Sequence, residues 1–166
     1  GQDVMKAVRG DCHSHSDWSD GGSPIDEMVM AAIGLGREYL VLTDHSPSLR
    51  VANGLSAERL TKQLGVIEAL NDALRSTGPD FELLKGIEVD IKDDGSLDQS
   101  DEILAKLDVR VASVHSKLAM ASAPMTRRMI AAVQNPRTNV LGHCTGRLIE
   151  GGRGTRGPAN HSAGGG

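Results

Sequence analysis

The fold class is decided by the segment EYLVLTDH (residues 38–45), a continuous apolar run that ends in an aspartate and a histidine. A strand with one solvated face alternates polar and apolar residues, whereas an unbroken apolar run is typical of a strand covered on both faces. The segment FELLKGIEVD (residues 81–90) has the same character. The two segments therefore predict buried strands of a parallel sheet that is enclosed by helices.

Helix signals alternate with strand signals on either side of these segments. Ser23 and Ser56 are expected N-caps, and Gly36 and Gly78 are expected helix stops. We predict helices over residues 23–36, 56–78, 100–107 and 125–135, and further strands over residues 8–13, 108–115 and 139–143. The chain thus reads as a succession of about five β-α units.

An incomplete α/β barrel is the fold that this order predicts. Strands that alternate with helices are typical of a parallel sheet or barrel with the helices outside. An eight-unit barrel usually needs at least about 200 residues, and this chain has 166. The glycine-rich segment 151–166 lacks periodicity, so we expect one domain over residues 1–150 followed by a disordered tail.

Composition excludes several classes of protein. The formal net charge of −4 argues against a protein that coats nucleic acid through bulk electrostatics, and the aromatic content of 2% argues against a stacking platform for single strands. No apolar run is long enough to cross a membrane, and no signal peptide is recognisable. Two cysteines do not make a disulfide framework, so we expect a cytoplasmic protein.

Five of the six histidines fall at the carboxyl ends of predicted strands. Active sites of β/α barrels are built at this rim, and scattered surface histidines would not select the same end of every strand. Glu88 lies inside an apolar strand, where a carboxylate is costly unless it is paired or bound to a metal. The histidines of this set are His13, His15, His45, His115 and His143.

The stretch RGDCHSHSDWSDGG (residues 9–22) supplies the first two of these histidines. His13 and His15 are two residues apart, so on a strand their side chains point to the same side and can chelate one cation. Asp20 can join them if the SDGG loop folds back over the strand end. We expect Asp11 to orient an imidazole, and we expect Cys12 to be a small core residue.

Two further residues near the rim are given lesser roles. Trp18 is expected to shape the edge of the cleft and to be available for stacking on a base. Asp90 lies two residues after Glu88 on the same face but closer to the following turn, and we leave it out of the site.

The candidate ligands are mostly imidazoles with some carboxylates. This donor set suits Zn²⁺, Mn²⁺ or Fe better than Ca²⁺ or Mg²⁺ alone. The set is too large for one tetrahedral ion, so we expect two or three divalent metal ions. Two ions about 3.5–4 Å apart can clamp a phosphoryl group and generate hydroxide at neutral pH.

Five motifs together resemble the PHP (polymerase and histidinol phosphatase) family. They are DCHSHSDWSDG, LTDHSPS, KGIEVD, ASVHSK and LGHCTGR, in that order along the chain. The stretches TDHSPSLRVANGLSAERL and KGIEVDIKDDGSLD are most similar to the PHP domains of bacterial family X DNA polymerases and their stand-alone relatives. The resemblance implies a (β/α)₇ barrel, a trinuclear metal site and phosphoesterase chemistry.

The resemblance also implies roles for single residues. Glu88 would bridge two metals, hydroxide bound to metal would attack phosphorus, and Glu88, His15 and His45 are the residues we expect to be essential for catalysis. Lys117, Arg147 and Arg50 follow ligand strands and are candidate phosphate contacts, with ordinary surface charge as the alternative. The implied metal ligands are His13, His15, Asp20, His45, Glu88, His115 and His143.

One family motif has no counterpart in this sequence. The family pattern ends with a D-x-H on a last strand, and the only histidine beyond His143 is His161, which lies in the glycine-rich tail without an aspartate two residues before it. We therefore expect a barrel that is truncated relative to the family, with two metal positions each short of one ligand. A fragment, a frameshifted gene and a chain completed by something else remain open.

Three functions are compatible with these residues. The first is a phosphoesterase that acts as a 3′→5′ exonuclease or processes DNA ends, with DNA 3′ ends or nucleotides as substrates. The second is a small-molecule phosphatase of the histidinol-phosphate type. The third is a non-catalytic metal-binding or structural module. The oligomeric state is left open.

Overall fold

Residues 7–143 are described by the computed structural model, and they form a five-stranded, all-parallel sheet in the order β1-β2-β3-β4-β5. The strands are β1 (Gly10–Ser14), β2 (Tyr39–Leu42), β3 (Glu82–Asp90), β4 (Val109–Ser113) and β5 (Val140–Leu141). The helices are α1 (Ile25–Gly34), α2 (Ala57–Thr77), α3 (Asp101–Leu104) and α4 (Ser122–Gln134), with a 3₁₀ turn at Arg50–Ala52. This alternation confirms the predicted α/β fold, and the sheet is half of a barrel.

The strands are adjacent in chain order, so the sheet is a series of parallel pairs joined by helical crossovers. Leu40 pairs with Leu83 across β2 and β3, and Val111 of β4 lies between Glu88 of β3 and Val140 of β5. Because all strands run in one direction, their carboxyl ends meet at the same edge of the sheet. The predicted rim is therefore a real feature of the fold.

The sheet packs its outer face against the helices. Leu42 of β2, Leu83 and Ile87 of β3, and Leu60 and Ile67 of α2 are all buried in one apolar cluster. Full burial of each such side chain stabilises the fold by about 1.5–3 kcal/mol. Val41, whose side chain points to the opposite face from Leu42, is only 1% exposed, so β2 is covered on both faces as its apolar run predicts.

Helix boundaries follow the sequence signals in most places. Ser56 caps α2, with its hydroxyl accepting a hydrogen bond from the Arg59 amide, and Gly78 ends that helix with a left-handed φ of 100°. Gly36 lies just beyond α1, also with positive φ. The Ser23 cap is wrong: Pro24 occupies the N-cap position of α1, and the Ser23 carbonyl accepts from the Asp17 amide within the preceding loop.

Two helices differ in length from the prediction. The helix α3 is one turn shorter than the predicted 100–107, although Ser100 caps it through the Ile103 amide. The helix α4 begins at Ser122 rather than at Met125 because Pro124 is accommodated in its first turn, where no intrahelical N–H is needed.

Within residues 7–143, none of the helices combines the length and the apolar character that crossing a membrane requires. The predicted cytoplasmic location stays a prediction. Arg147, His161 and the predicted tail at 151–166 lie outside the described residues, so the division at residue 150 also stays a prediction.

Candidate metal centre

Five imidazoles line the carboxyl rim of the sheet in strand order. His13 and His15 come from the end of β1, and His45, His115 and His143 follow β2, β4 and β5. Ring centroids of successive members are 4.4–5.3 Å apart. The structure therefore brings together the five histidines that the sequence placed at strand ends.

Glu88 lies at the centre of this array. It sits near the end of β3, the middle strand, and its side chain is 1% exposed. Its Oε2 atom lies 3.0 Å from His13 Nε2, 3.2 Å from His15 Nε2 and 3.6 Å from His45 Nδ1.

The other oxygen of Glu88 faces a different pair of imidazoles. Oε1 lies 2.8 Å from His143 Nε2 and 3.2 Å from His115 Nε2, and those two nitrogens are 3.3 Å apart. A single carboxylate thus presents one oxygen to each half of the histidine array, which is the geometry that a bridging ligand needs.

The first half of the array converges closely. His13 Nε2 and His15 Nε2 are 2.9 Å apart, and each lies 3.0–3.2 Å from Glu88 Oε2. Ligand atoms at about 2.0–2.1 Å from a tetrahedral ion lie roughly 3.3–3.4 Å from one another. The three atoms are therefore close to the spacing at which they can bind one cation.

Asp20 joins the site because its loop turns back over the end of β1. The Gly21 amide donates to the Ser16 carbonyl at 2.8 Å, which closes the turn. Asp20 Oδ1 then lies 3.7 Å from His15 Nδ1, and Oδ2 lies 3.4 Å from His45 Nε2. The fold-back that the SDGG loop predicts is confirmed.

The candidate ligand atoms fall into three overlapping groups. They are His13–His15–Glu88, His15–Asp20–His45 and His45–Glu88–His115, each with ligand atoms within 4.8 Å of one another. His15 Nδ1 and His45 Nδ1 are buried without a hydrogen-bond partner among the described residues. Buried imidazole nitrogens in that state are costly, and coordination to a cation would satisfy them. The donor set fits a metal site.

The electrostatics of the cluster favour an ionised Glu88. Burial raises the pKa of its carboxyl, but hydrogen bonds from His115, His13 and His15 outweigh burial and hold the pKa well below its ordinary range. Burial also opposes protonation of His15, yet the Glu88 carboxylate leaves the pKa of His15 raised. The pKa of His45 is lowered, chiefly by burial.

Asp90, which the sequence analysis leaves out of the site, contacts a histidine of the cluster. It is 5% exposed, and its Oδ1 pairs with His115 Nδ1. That hydrogen bond, followed by the one to Glu88, raises the pKa of His115 to about 9. The signal was available, because Asp90 shares a strand face with Glu88.

Two expectations for β1 are wrong. Asp11 accepts a hydrogen bond from the backbone amide of His13 at 3.1 Å, so it stabilises the irregular strand end, and it has no hydrogen bond to an imidazole of residues 7–143. Cys12 is an exposed free cysteine with Sγ 3.7 Å from the Tyr39 hydroxyl. It is not a core residue because β1 is an edge strand of the half-barrel.

Asp44 is a second site residue that sequence reasoning missed. It is 2% exposed, and its carboxylate accepts from the amide and hydroxyl of Ser16, the hydroxyl of Ser19 and the amide of Gln63 at 2.5–2.7 Å. Asp44 therefore fixes the loop that carries Asp20. It is also the residue immediately before His45 in the chain.

Of the candidate phosphate contacts, Lys117 and Arg50 lie within the described residues, and neither contacts a histidine of the cluster there. Lys117 forms an ion pair with Asp93, and Arg50 is exposed in the 3₁₀ turn. Asp93 also lines a surface pocket of about 430 Å³ whose other walls are Ser48, Lys92, Asp94 and Ser116. Contact of Lys117, Arg50 or Arg147 with substrate stays a prediction.

Trp18 is half-buried and packs against the apolar core. Its carbonyl accepts hydrogen bonds from Arg59 and from Asn53, the latter at 3.2 Å. The side chain therefore has a packing role at the edge of the site, and stacking on a base is a prediction.

Comparison with known proteins places these residues in a family context. A family model described as PHP domain matches residues 11–151. The chain is 44% identical over 142 residues to the DNA polymerase/3′-5′ exonuclease PolX of Bacillus subtilis (strain 168), a match that covers 86% of this chain and 24% of that protein. It is 33% identical over 144 residues to a probable phosphatase of Thermoanaerobacter sp. (strain X514), which covers 84% and 54%. A probable phosphatase of Caldanaerobacter subterraneus subsp. tengcongensis is 28% identical over 138 residues, covering 80% and 50%. The chain therefore spans about a quarter of PolX and about half of these phosphatases.

Proposed function

The chain belongs to the PHP domain family, and on that premise we propose that it is a metal-dependent phosphoesterase whose centre is the histidine cluster around Glu88. The observation that carries the proposal is the placement of the two Glu88 oxygens, one toward His13 and His15 and the other toward His115 and His143. The cations that such a cluster holds are most consistent with Mn²⁺, Zn²⁺ or Fe, two or three in number.

The bound cations would supply two things, a lowered pKa for attacking water and neutralisation of charge on the phosphoryl oxygens. The protein residues supply the rest. Glu88 holds the two halves of the cluster at a fixed separation, His15 and His45 orient their ring nitrogens toward Asp20, and Asp90 fixes the ring of His115. A rigid cluster of this kind aligns a phosphate ester for in-line attack at little entropic cost.

For the substrate, we propose a DNA strand with a 3′ end, which makes the reaction 3′→5′ exonucleolytic or a related trimming of DNA ends. Support comes from the 44% identity to PolX, whose name states both polymerase and 3′-5′ exonuclease activity. The matched part is 24% of PolX, so the assignment of exonuclease activity to this part is a proposal.

A small phosphate monoester, of which histidinol phosphate is the example, is the second candidate substrate. Two relatives are named probable phosphatases. The surface pocket lined by Asp93 and Ser116 has a volume of about 430 Å³, which is within the range of small-molecule sites.

The proposal is tested by metal analysis and by two hydrolysis assays on one preparation. The protein is stripped with a chelator, reloaded with Mn²⁺, and its metal content is measured by mass spectrometry; we expect more than about one equivalent. A 5′-labelled single-stranded oligonucleotide and histidinol phosphate are then offered separately. Shortening of the oligonucleotide from its 3′ end supports the nuclease, and release of inorganic phosphate from histidinol phosphate supports the phosphatase.

Glu88→Gln and Glu82→Gln form a matched pair for these assays. Both residues lie on β3, but Glu82 is exposed at the amino end, far from the rim. We expect Glu88→Gln to lose metal and to lower turnover by more than about 100-fold, and we expect Glu82→Gln to behave as wild type. A folded wild-type protein with less than half an equivalent of metal and no turnover of either substrate would instead support a structural module.

A further inference from the structure

Arg128 of α4 is a buried cation that the proposed chemistry does not use. It is 1% exposed, and among the described residues it is the largest of the fully buried side chains. The nearest carboxylate oxygen, Asp93 Oδ1, is 3.9 Å from Nη2. A buried guanidinium is costly unless its donors are satisfied, so its partners identify what it does.

The partners of Arg128 are backbone and hydroxyl oxygens of two different loops. Nε donates to the Lys92 carbonyl at 2.9 Å, and Nη2 donates to the Ile91 carbonyl, both in the loop after β3. Nη1 donates to the Ser116 carbonyl at 3.0 Å and Nη2 to the Ser116 hydroxyl at 3.2 Å, both in the loop after β4. One planar group therefore ties two neighbouring loops together.

These two loops begin directly after residues of the metal centre. Ile91 and Lys92 follow Asp90, and Ser116 follows His115. The same helix also supports the first loop by close packing: a Cβ added at Gly95 would lie 2.5 Å from Ala131 Cβ and 2.9 Å from the Arg128 carbonyl oxygen. Movement of either loop relative to α4 would move Asp90 relative to His115.

We propose that Arg128 is a positioning residue that sets the distance between the Glu88–Asp90 strand end and His115, and so tunes the affinity of the metal centre. The inference rests on the proposed function because it requires that the histidine cluster around Glu88 binds metal. A guanidinium suits the task because its rigid fork spans carbonyl groups of both loops, whereas a lysine ammonium is a single point of contact.

Arg110 of β4 provides a matched control for Arg128. It lies at the amino end of β4, away from the rim, and also donates to backbone carbonyls: Nε to Arg137 at 2.6 Å, and Nη1 to Leu104 at 3.1 Å and to Leu107. Loss of Arg110 contacts removes a comparable set of hydrogen bonds without touching the loops after β3 and β4. If weaker metal binding comes from a general loss of stability, substitution of either arginine should weaken it. If Arg128 has a positioning role, only substitution of Arg128 should do so.

The test compares Arg128→Lys and Arg110→Lys with wild type. Mn²⁺ affinity is measured by calorimetric titration of the chelator-stripped full chain, at a temperature where circular dichroism shows each variant folded. We expect Arg128→Lys to bind Mn²⁺ about 10–100-fold more weakly and Arg110→Lys to stay within about threefold of wild type. Equal losses in the two variants, or an unchanged affinity in folded Arg128→Lys, overturn the proposal.

A metal-free measurement separates this proposal from the proposed function. Amide hydrogen exchange is followed at residues 91–96 and at Ser116 in the stripped protein. Faster exchange of these amides in Arg128→Lys, with no change in Arg110→Lys, supports the positioning role. This result would stand even if the wild type binds no Mn²⁺. In that case only the assignment of the metal site fails. Unchanged exchange in Arg128→Lys overturns the positioning role.

Gly95→Ala covers the case in which Arg128→Lys does not fold. Gly95 has a φ of +87°, and a methyl group there would push the loop after β3 away from α4 without removing the arginine side chain. We expect weaker Mn²⁺ binding, again about 10-fold or more. Wild-type affinity in Gly95→Ala would show that the position of this loop does not control the centre.

Discussion

His115 Nδ1 pairs with Asp90 Oδ1 while its Nε2 lies 3.2 Å from Glu88 Oε1. One imidazole thus connects two carboxylates of the same strand, β3, which are two residues apart. The pairing leaves Nε2 as the atom available to a cation and fixes the plane of the ring. A carboxylate behind a ligating histidine also increases the basicity of the ligand.

Asp90→Asn should lower the pKa of His115 from about 9 toward the ordinary value near 6.5, since the hydrogen bond to Asp90 is the largest cause of the raised pKa. Metal affinity should fall by about 10–100-fold because the ring loses its orientation. The pKa is measured by NMR titration of the His115 ring protons in stripped protein. Asp80→Asn, an exposed site at the amino end of β3, is the control. A His115 pKa that stays near 9 in Asp90→Asn contradicts the assignment.

The metal-free protein should lose stability as pH rises through about 9. Below about 6.5 His115 is protonated in both the folded and unfolded chains, so its full contribution is present. Between about pH 6.5 and 9 the unfolded chain loses this proton, whereas the folded chain keeps it because the pKa of His115 is raised to about 9. The stabilisation by His115 therefore declines over this range and is lost once the pH rises through 9. The pKa of His15 is also raised and acts in the same direction. The free energy of unfolding, measured with urea in the presence of a chelator, should be lower at pH 9.5 than at pH 6.5 by on the order of 3 kcal/mol. Equal free energies at the two pH values would contradict this prediction.

Saturation with Mn²⁺ should reverse this pH dependence. Imidazole binds a metal only when the ligating nitrogen has lost its proton, so protons and cations compete for the cluster. Metal affinity therefore rises with pH, and the metal-bound protein gains stability over the range in which the stripped protein loses it. Thermal unfolding of both forms between pH 6.5 and 9 provides the comparison. Parallel curves with and without Mn²⁺ would mean that the imidazoles are not ligands.

Asp44→Asn should destabilise the fold by about 2–4 kcal/mol. The carboxylate accepts four hydrogen bonds from Ser16, Ser19 and Gln63 in a buried setting, and an asparagine would turn two N–H groups toward these donors. Urea unfolding measures the loss, and Asp72→Asn on the exposed side of α2 should change stability by less than about 0.5 kcal/mol. A loss below about 1 kcal/mol in Asp44→Asn would mean that Asp44 does not support the Asp20 loop.

The sequence predicts the alternation of strands and helices and the rim histidines because both depend on short-range patterns. An apolar run such as residues 38–45 indicates a buried segment, and the rule that parallel strands end at one edge then places His45 and Glu88 at the same edge of the sheet. Asp20 follows from a turn-forming loop. These inferences need chain direction and periodicity, and no tertiary distances.

The missed residues are those whose partners are remote in the chain. Asp90 meets His115 from 25 residues away, and Arg128 meets Lys92 from 36 residues away. Periodicity places Asp90 on the same strand face as Glu88, but it does not specify which remote residue a buried polar side chain contacts. Cys12 was misassigned for a related reason: burial of a strand depends on whether it is central or at an edge, and β1 is an edge.

Gly142→Ala should displace His143 and weaken the half of the centre that faces Glu88 Oε1. A Cβ at residue 142 would lie 2.2 Å from Ser113 Oγ and 3.1 Å from Val111 Cγ1, so the Ser113 hydroxyl must rotate and β5 must shift from β4 by a few tenths of an ångström. The strand β5 has two residues, and His143, two residues after its end, has its Nε2 atom 2.8 Å from Glu88 Oε1.

We expect a loss of about 1–3 kcal/mol in stability from overpacking in Gly142→Ala, together with a Mn²⁺ affinity lowered by about 10-fold or more. Gly65→Ala is the control, because a Cβ at that position in α2 meets nothing within 4 Å and alanine should stabilise the helix by up to about 1 kcal/mol. The measurements are urea unfolding of the stripped protein and calorimetric titration with Mn²⁺. If Gly142→Ala loses stability but binds Mn²⁺ as tightly as wild type, His143 contributes packing at the rim and is not a ligand, because displacement of a ligand from the Glu88 carboxylate must weaken the metal centre.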